Sequence, residues 1–203
     1  IYIGWHDGAV GYISQAVPPS PATNNPIDLA YNASSTVLYV LVDGSGGDVV
    51  VVVNPNTGAI IENPDGSQRF YTLNSEDAYA LAYHDGKIYA IYEERQMGGG
   101  YGGPPPAKVA VLNTSFVQEA GSPYNMTSDF GQILGLGSNG DQLIGTVSHG
   151  GARLDMYDAN GFGRGQEVHF WDPSDPYFGQ TEGFTDVAFT TSTPMYYVSK
   201  GGK

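Results

Sequence analysis

The chain has no cysteine in 203 residues, so a disulfide framework, a zinc–thiolate site and a cysteine nucleophile are all excluded. Basic residues are scarce: 8 Lys and Arg stand against 21 Asp and Glu, for a formal charge of −13. With no basic stripe to neutralise phosphates, nucleic acid is not an expected partner. Long apolar runs are missing too. The purest, Val49–Val53, falls far short of the roughly 20 residues that cross a bilayer as a helix, so no transmembrane segment is expected. No stretch keeps a helical period between caps. Charged residues make up only 14%, whereas hydrophobic residues reach 40%, enough for a sizeable core in one all-β domain. Residue 1 is Ile, as expected of a processed product or a fragment, from which a removed secretion signal would leave no trace.

What the chain does have is repetition. Asp28-Leu29-Ala30-Tyr31, Ala80-Leu81-Ala82-Tyr83, Gly135-Leu136-Gly137-Ser138 and Asp186-Val187-Ala188-Phe189 each open an apolar strand. A turn and a second strand follow each, over Val37–Val42, Lys87–Tyr92, Gln142–Val147 and Met195–Lys200. The markers Leu29, Leu81, Leu136 and Val187 are spaced by 52, 55 and 51 residues, and by 45 from Val187 across the termini to Leu29. Third strands are expected at Val49–Val53, Lys108–Leu112 and Arg153–Tyr157. Fourth strands are expected at Ala59–Ile61, Phe116–Val117 and Glu167–Trp171, after turns rich in Asn, Asp and Gly. All-strand repeats of this length suggest a β-propeller.

Ile1–Trp5 and Val10–Ser14 read as the third and fourth strands of a repeat whose first two strands lie at the C-terminus. The expected fold is therefore a single all-β propeller domain of four blades, each of four antiparallel strands. Residues 27–75, 78–122 and 132–172 form three blades, and both termini (1–16 and 184–203) close the last. Pairing the two ends removes edges that would otherwise recruit other chains. A piece of a six- or seven-bladed ring would begin and end at similar points, so a larger ring stays open as an alternative. Two long connections stand out: the proline-rich Val17–Pro26, read as an extended linker, and Met97–Pro106, a glycine-rich insertion within the second blade.

The pattern Asp-hydrophobic-Ala-aromatic, followed by a turn and an aromatic-rich strand, resembles the repeats of hemopexin-like four-bladed propellers. Asp186–Phe189 with Tyr196–Lys203 carries it most fully, and Asp28–Tyr31 follows. The Gly135 repeat lacks the Asp, and Asp77 stands three residues before Ala80. The disulfide common in that family is impossible here. Val49–Ile61, with Asn54-Pro55-Asn56-Thr57-Gly58 at its turn, looks equally like the NHL-type and surface-layer blades of larger propellers. The resemblance implies an architecture and carries over no catalytic residue.

Candidate chemistry is sparse. His6 and His84 occupy similar Trp-His-Asp-Gly and Tyr-His-Asp-Gly turns, which points to a structural role, and His149 lies in a loop between strands. There is no nucleophile elbow, phosphate-binding glycine motif or His-Glu-x-x-His pair. Calcium is the expected cofactor if there is one. Asp43–Asp48 and Asp172–Asp175 offer hard oxygens, and Asp28, Asp77 and Asp186 would ring one channel mouth as metal ligands. Solvated turns are the plainer reading of all these carboxylates. Asn32, Asn113 and Asn125 head Asn-x-Ser/Thr sequons in expected turns and are candidate glycosylation sites. Trp5, Tyr101, His149 and Trp171 are candidate binding residues, since an aromatic at a blade mouth stacks on sugar rings.

Two functions fit. The first is an extracellular, non-catalytic module that binds carbohydrate or a protein surface, or self-associates into an oligomer or filament. The second is a secreted propeller hydrolase or lyase acting on carbohydrate or lactone with a divalent cation in the channel.

Overall fold

A computed structural model describes residues 2–4, 10–12, 25–43, 47–73, 77–93, 107–125, 133–147, 153–160, 162, 164–169, 184–190 and 195–200. The chain divides into two compact units, Ile1–Ala78 and Tyr79–Lys203. All the regular structure among the described residues is antiparallel β.

The first unit contains a two-stranded sheet of β1 (Tyr2–Gly4) and β2 (Val10–Tyr12). It also holds a four-stranded sheet in the order β3 (Asn25–Asn32), β4 (Val37–Asp43), β5 (Val49–Val53) and β6 (Phe70–Thr72). Strand β5 is five valines, all buried, so it is covered on both faces. Val49, Val51 and Val53 pack with Leu38, Val40, Val42 and Ile60 on one side, and Val50 and Val52 point to the other. Full burial of a valine is worth roughly 1.5–3 kcal/mol. That exceeds the net value of about 1 kcal/mol for one turn hydrogen bond, so burial fixes the register of this strand.

The second unit takes in nearly all of a four-stranded sheet made of β7 (Asp77–His84), β8 (Lys87–Glu93), β9 (Ala107–Asn113) and β10 (Tyr124–Asn125). Next come β11 (Ile133–Ser138), β12 (Leu143–Val147), β13 (Arg153–Tyr157) and β14 (Arg164–His169) in that order. The two-stranded sheet β15 (Phe184–Thr190) and β16 (Met195–Lys200) ends the chain.

The first three strands of each repeat fall where the sequence places them, but two of the fourth strands do not. After the Asn54 turn, Ile60 makes a single bridge back to Val53, and Glu62 then bridges Gln68 in a small hairpin of its own. The strand that completes the sheet is β6, paired with Val49–Val51. Likewise Gln118 bridges Leu112, and Tyr124–Asn125 rather than Phe116–Val117 pairs with β9. The cause is local. Asn113 Oδ1 accepts the N–H groups of Ser115 and Val117, and Phe116 takes φ 61°, which holds these residues in a turn. Asn25 and Pro26, expected in a linker, belong to β3. The Met97–Pro106 insertion lies outside the described residues. The strands expected near the two termini are present as two-stranded sheets, β1–β2 and β15–β16.

Each innermost strand has a branched side, carrying Leu29, Leu81, Leu136 or Val187, and a small side, carrying Ala30, Ala82, Gly137 or Ala188. In the second unit these sides pack against one another in order. Ala80, Ala82, Tyr89, Ile91, Val109 and Val111 of the β7–β10 sheet form one core with Leu136, Leu143 and Tyr157 of the β11–β14 sheet. On the far side of β11, a Cβ built on Gly137 would sit 2.5 Å from the Val187 carbonyl oxygen and 3.3 Å from its Cγ1. Glycine is required there by the approach of backbone to backbone. Replacing Gly137 by Ala should lower stability by about 3 kcal/mol through overpacking. Gly66→Ala, at φ 82° but facing open space, should cost about 1 kcal/mol from backbone strain alone. Urea midpoints of the two variants measure this difference, and equal midpoints would show that the inner strands part freely.

Candidate functional site

Two of the aspartates expected in a ring, Asp28 and Asp186, sit in a repeated backbone device. Strand β3 shifts register between Pro26 and Asp28, and β15 does the same between Phe184 and Asp186. In both, the Asp Oδ1 accepts the next backbone N–H, from Leu29 and from Val187, at 2.7 Å. Strand β11 carries the same shift before Gly135, with no carboxylate to accept. Burial pushes the Asp186 carboxyl above its usual range, and the hydrogen bond from Val187 N–H pulls the other way. Asp77 opens β7, with its side chain outside the described residues. Among the described residues no three of His, Asp and Glu gather as metal ligands would.

Other sites divide in the same way. Asp43 is exposed, but Asp48 is buried and its Oδ2 accepts the N–H of Ala78 at 2.5 Å. That carboxylate ties the start of β7 to the residues before β5. Asn32 is only 3% exposed, and its Oδ1 accepts the N–H groups of Ser34 and Ser35, so a glycan there would require the β3–β4 hairpin to open. Asn113 and Asn125 are exposed. Trp5, Tyr101, His149, Trp171 and Asp172–Asp175 lie outside the described residues.

The structure draws together a group that the sequence did not announce, at the junction of the β7–β10 and β11–β14 sheets. His84 ends β7 and is 8% exposed, and its Nδ1 lies 2.8 Å from Oγ of Ser138, which ends β11. A His–Ser contact of this length has the geometry of base and nucleophile. The Ser138 Oγ, however, also accepts the Gly140 N–H at 3.1 Å as part of its own turn. The pair bridges the ends of two inner strands, one in each sheet.

Phe162 adds a second tie. At φ 52° it leaves the turn after β13, is 2% exposed, and stacks on Tyr124 at 5.1 Å while meeting the edge of Tyr89 at 6.2 Å. Burial pushes the Tyr89 hydroxyl up to about 12, helped by the charges of Glu119 and Asp85.

A third tie is ionic. Asp155 on β13 is fully buried, its Oδ2 lying 3.4 Å from the Tyr157 hydroxyl and 3.9 Å from Arg164 Nη1. The only sequence sign of this was a charge inside the apolar run Leu154-Asp155-Met156-Tyr157.

The outer end of the β8–β9 hairpin holds a groove of about 200 Å³. Val111, Leu112 and Val117 give it apolar walls, Asn113 and Gln118 line it, and the Lys87–Glu119 ion pair at 3.0 Å crosses it. Small-molecule sites usually enclose roughly 300–1,000 Å³, so this groove suits one side chain or one sugar edge.

Two outcomes follow. Asp155→Ala should cost roughly 3–5 kcal/mol, because it leaves the Arg164 charge inside the fold. The double replacement Asp155→Leu with Arg164→Met should recover most of that loss. Denaturant unfolding measures both, and a single-variant loss below about 1 kcal/mol would show that the pair is solvated. For Asp186 the folded carboxyl holds its proton to higher pH than the unfolded one. Its contribution therefore weakens the fold as pH rises above 3.8 through the raised value. Asp186→Asn keeps an acceptor for Val187 N–H, so it should melt higher than the parent at pH 7, with the gap closing below pH 3.8. A gap independent of pH would contradict this.

No family model matches the chain, and no curated protein matches it by sequence. Solved structures do. The glutaminyl cyclase of Myxococcus xanthus matches 87% of this chain at 12% identity with a TM-score of 0.57, and the Dos1 propeller matches 97% at 12% identity with a TM-score of 0.50. The chain spans 62% of the first and 46% of the second. At such identity the likeness is one of fold, and it agrees with the sheets described above: the chain has the fold of the β-propellers.

Proposed function

We propose that this chain is an extracellular β-propeller module that acts by binding or assembly, with carbohydrate or copies of itself as partner. One observation carries the reading: the β3–β6 sheet leaves large apolar groups exposed. On β3, Leu29 and Tyr31 are 45% and 52% exposed, and Phe70 on β6 is 38% exposed. Large apolar groups exposed together on one sheet mark a surface that meets a partner. The composition agrees, since a face poor in charge and rich in Tyr, Ser, Gly and Asn offers rigid contacts at low entropic cost. Asn113 and Asn125 remain open for glycans.

The competing reading is a secreted hydrolase or lyase that uses a divalent cation. Glutaminyl cyclase is an enzyme on a similar fold, and fold alone does not choose between these readings. Thermal melts with micromolar Ca²⁺ or Zn²⁺ separate them, because a ligand held at 100 times its Kd adds about 2.7 kcal/mol to the folded state. The binding-module reading expects an unchanged melting temperature and hits on a glycan array or a concentration-dependent mass. A cation-dependent rise accompanied by turnover of a lactone or glycan would replace it with the enzyme.

A further inference from the structure

The sequon at Asn113 belongs to a rigid turn that leads out of β9. Asn113 Oδ1 accepts the N–H groups of Ser115 and Val117 at 2.9 and 3.0 Å. The Asn113 N–H donates to the Val117 carbonyl at 3.0 Å, and the Phe116 N–H donates to the Asn113 carbonyl at 2.9 Å. With its oxygen committed to two donors the side-chain amide is fixed in orientation, and Nδ2 lies on the side of Cγ away from the turn. Asn54 closes the same kind of turn after β5, accepting from Asn56 and Thr57, but Pro55 and Asn56 follow it and make no sequon. Asn32 caps its own turn in this manner too, yet it is 3% exposed where Asn113 is exposed. Asn113 also lines the groove of about 200 Å³, all of whose walls come from residues 87–119. Val117 gives that groove an aliphatic wall and is 60% exposed. At the rim, the Lys87–Glu119 pair presents a donor and an acceptor 3.0 Å apart, and the Glu119 N–H is held by the Val111 carbonyl at 2.8 Å.

We infer that Asn113 carries an N-linked glycan whose first N-acetylhexosamine lies in this groove, over Val117 and against the Lys87–Glu119 pair. This rests on the extracellular part of the reading above and adds to it a modification site with a structural consequence. A pyranose needs what the groove offers: an aliphatic wall for its C–H face, and a paired donor and acceptor for its hydroxyl and acetamido groups. Transfer from a polyprenyl-diphosphate oligosaccharide forms the bond between Asn113 Nδ2 and C1 of the sugar. The donor's C1–O bond breaks, and the polyprenyl diphosphate leaves together with one amide proton. Once attached, the sugar enters the groove intramolecularly, so a shallow site that would hold a free sugar weakly is filled. The seated ring takes Val117 out of water in the folded chain only, and so favours the folded state.

Site-resolved mass spectrometry reads the occupancy. The intact chain is secreted from a eukaryotic host, and cleavage after Glu119 separates Asn113 from Asn125. Peptide N-glycosidase then converts each glycosylated Asn to Asp, and Asn113 is expected among those converted. Melting temperatures of three forms of the same chain locate the first sugar: the full glycoform, the form trimmed by an endoglycosidase to one N-acetylglucosamine, and the bare chain from bacteria. The trimmed form should melt with the full glycoform, and the bare chain roughly 2–4 °C lower. Ser115→Ala keeps the backbone N–H that Asn113 accepts, so this variant, secreted from the same host, should melt with the bare chain. Val117→Ser should close the gap between trimmed and bare forms while Asn113 stays occupied. An unmodified Asn113 in the secreted chain would overturn the inference. So would a trimmed form that melts with the bare chain, or a gap that Val117→Ser leaves unchanged. The glycan array and the cation melts are run on the bare chain, so they judge the binding reading whatever Asn113 carries.

Discussion

Backbone approaching backbone is the constraint on which the described blades of the second unit depend. Within that unit, inner strands of consecutive sheets come closer than two ordinary side chains permit. The chain meets this by pairing a residue with little or no side chain against a branched one, Gly137 against Val187 and Ala82 beside Leu136. The inner strands β3, β11 and β15 each carry a register shift, which bends a strand locally. That shift frees a backbone N–H, which the Asp28 and Asp186 carboxylates accept. Packing, curvature and the Asp of the repeat are thus three consequences of one geometric demand.

Away from the axis, blades diverge and leave wedge-shaped space that needs larger groups. Phe162 fills it between Tyr89 and Tyr124 from a turn in the left-handed region, where a bulky residue is strained by roughly 1–2 kcal/mol. Burial of an aromatic ring and its two ring contacts outweigh that strain. Asp155 is less easily explained by stability, because desolvating a carboxylate can cancel its attraction to Arg164. What the pair does provide is orientation, since Arg164 lies on the outer strand β14 and is held in place beside β13.

The same scaffold supports enzymes and non-catalytic modules, so function is argued from open surfaces and not from the ring. Several polar groups of the described residues serve as interior ties. His84 clips Ser138, Asp48 holds the N–H of Ala78, and Asn32 caps its own hairpin. Exposed among the described residues are Leu29 and Tyr31 on β3, a small groove on the β7–β10 sheet and two sequon asparagines.

The sequence by itself determined the strand periods, the repeat and the all-β class, because alternation and burial of valine-rich runs are local properties of the chain. It located the inner, second and third strands within a residue or a few of their observed limits. It placed the fourth strands of the first two blades too early, because Asn54 and Asn113 tie the following residues into turns before the chain returns to its sheet. Only the tertiary structure decided which carboxylates face solvent and which hold backbone. Asp43 and Asp48 look alike in the sequence, but burial separates them. It alone showed that Asp155 lies inside and that Phe162 crosses to another sheet. Those outcomes depend on contacts between residues dozens of positions apart, and no local pattern in the chain records them.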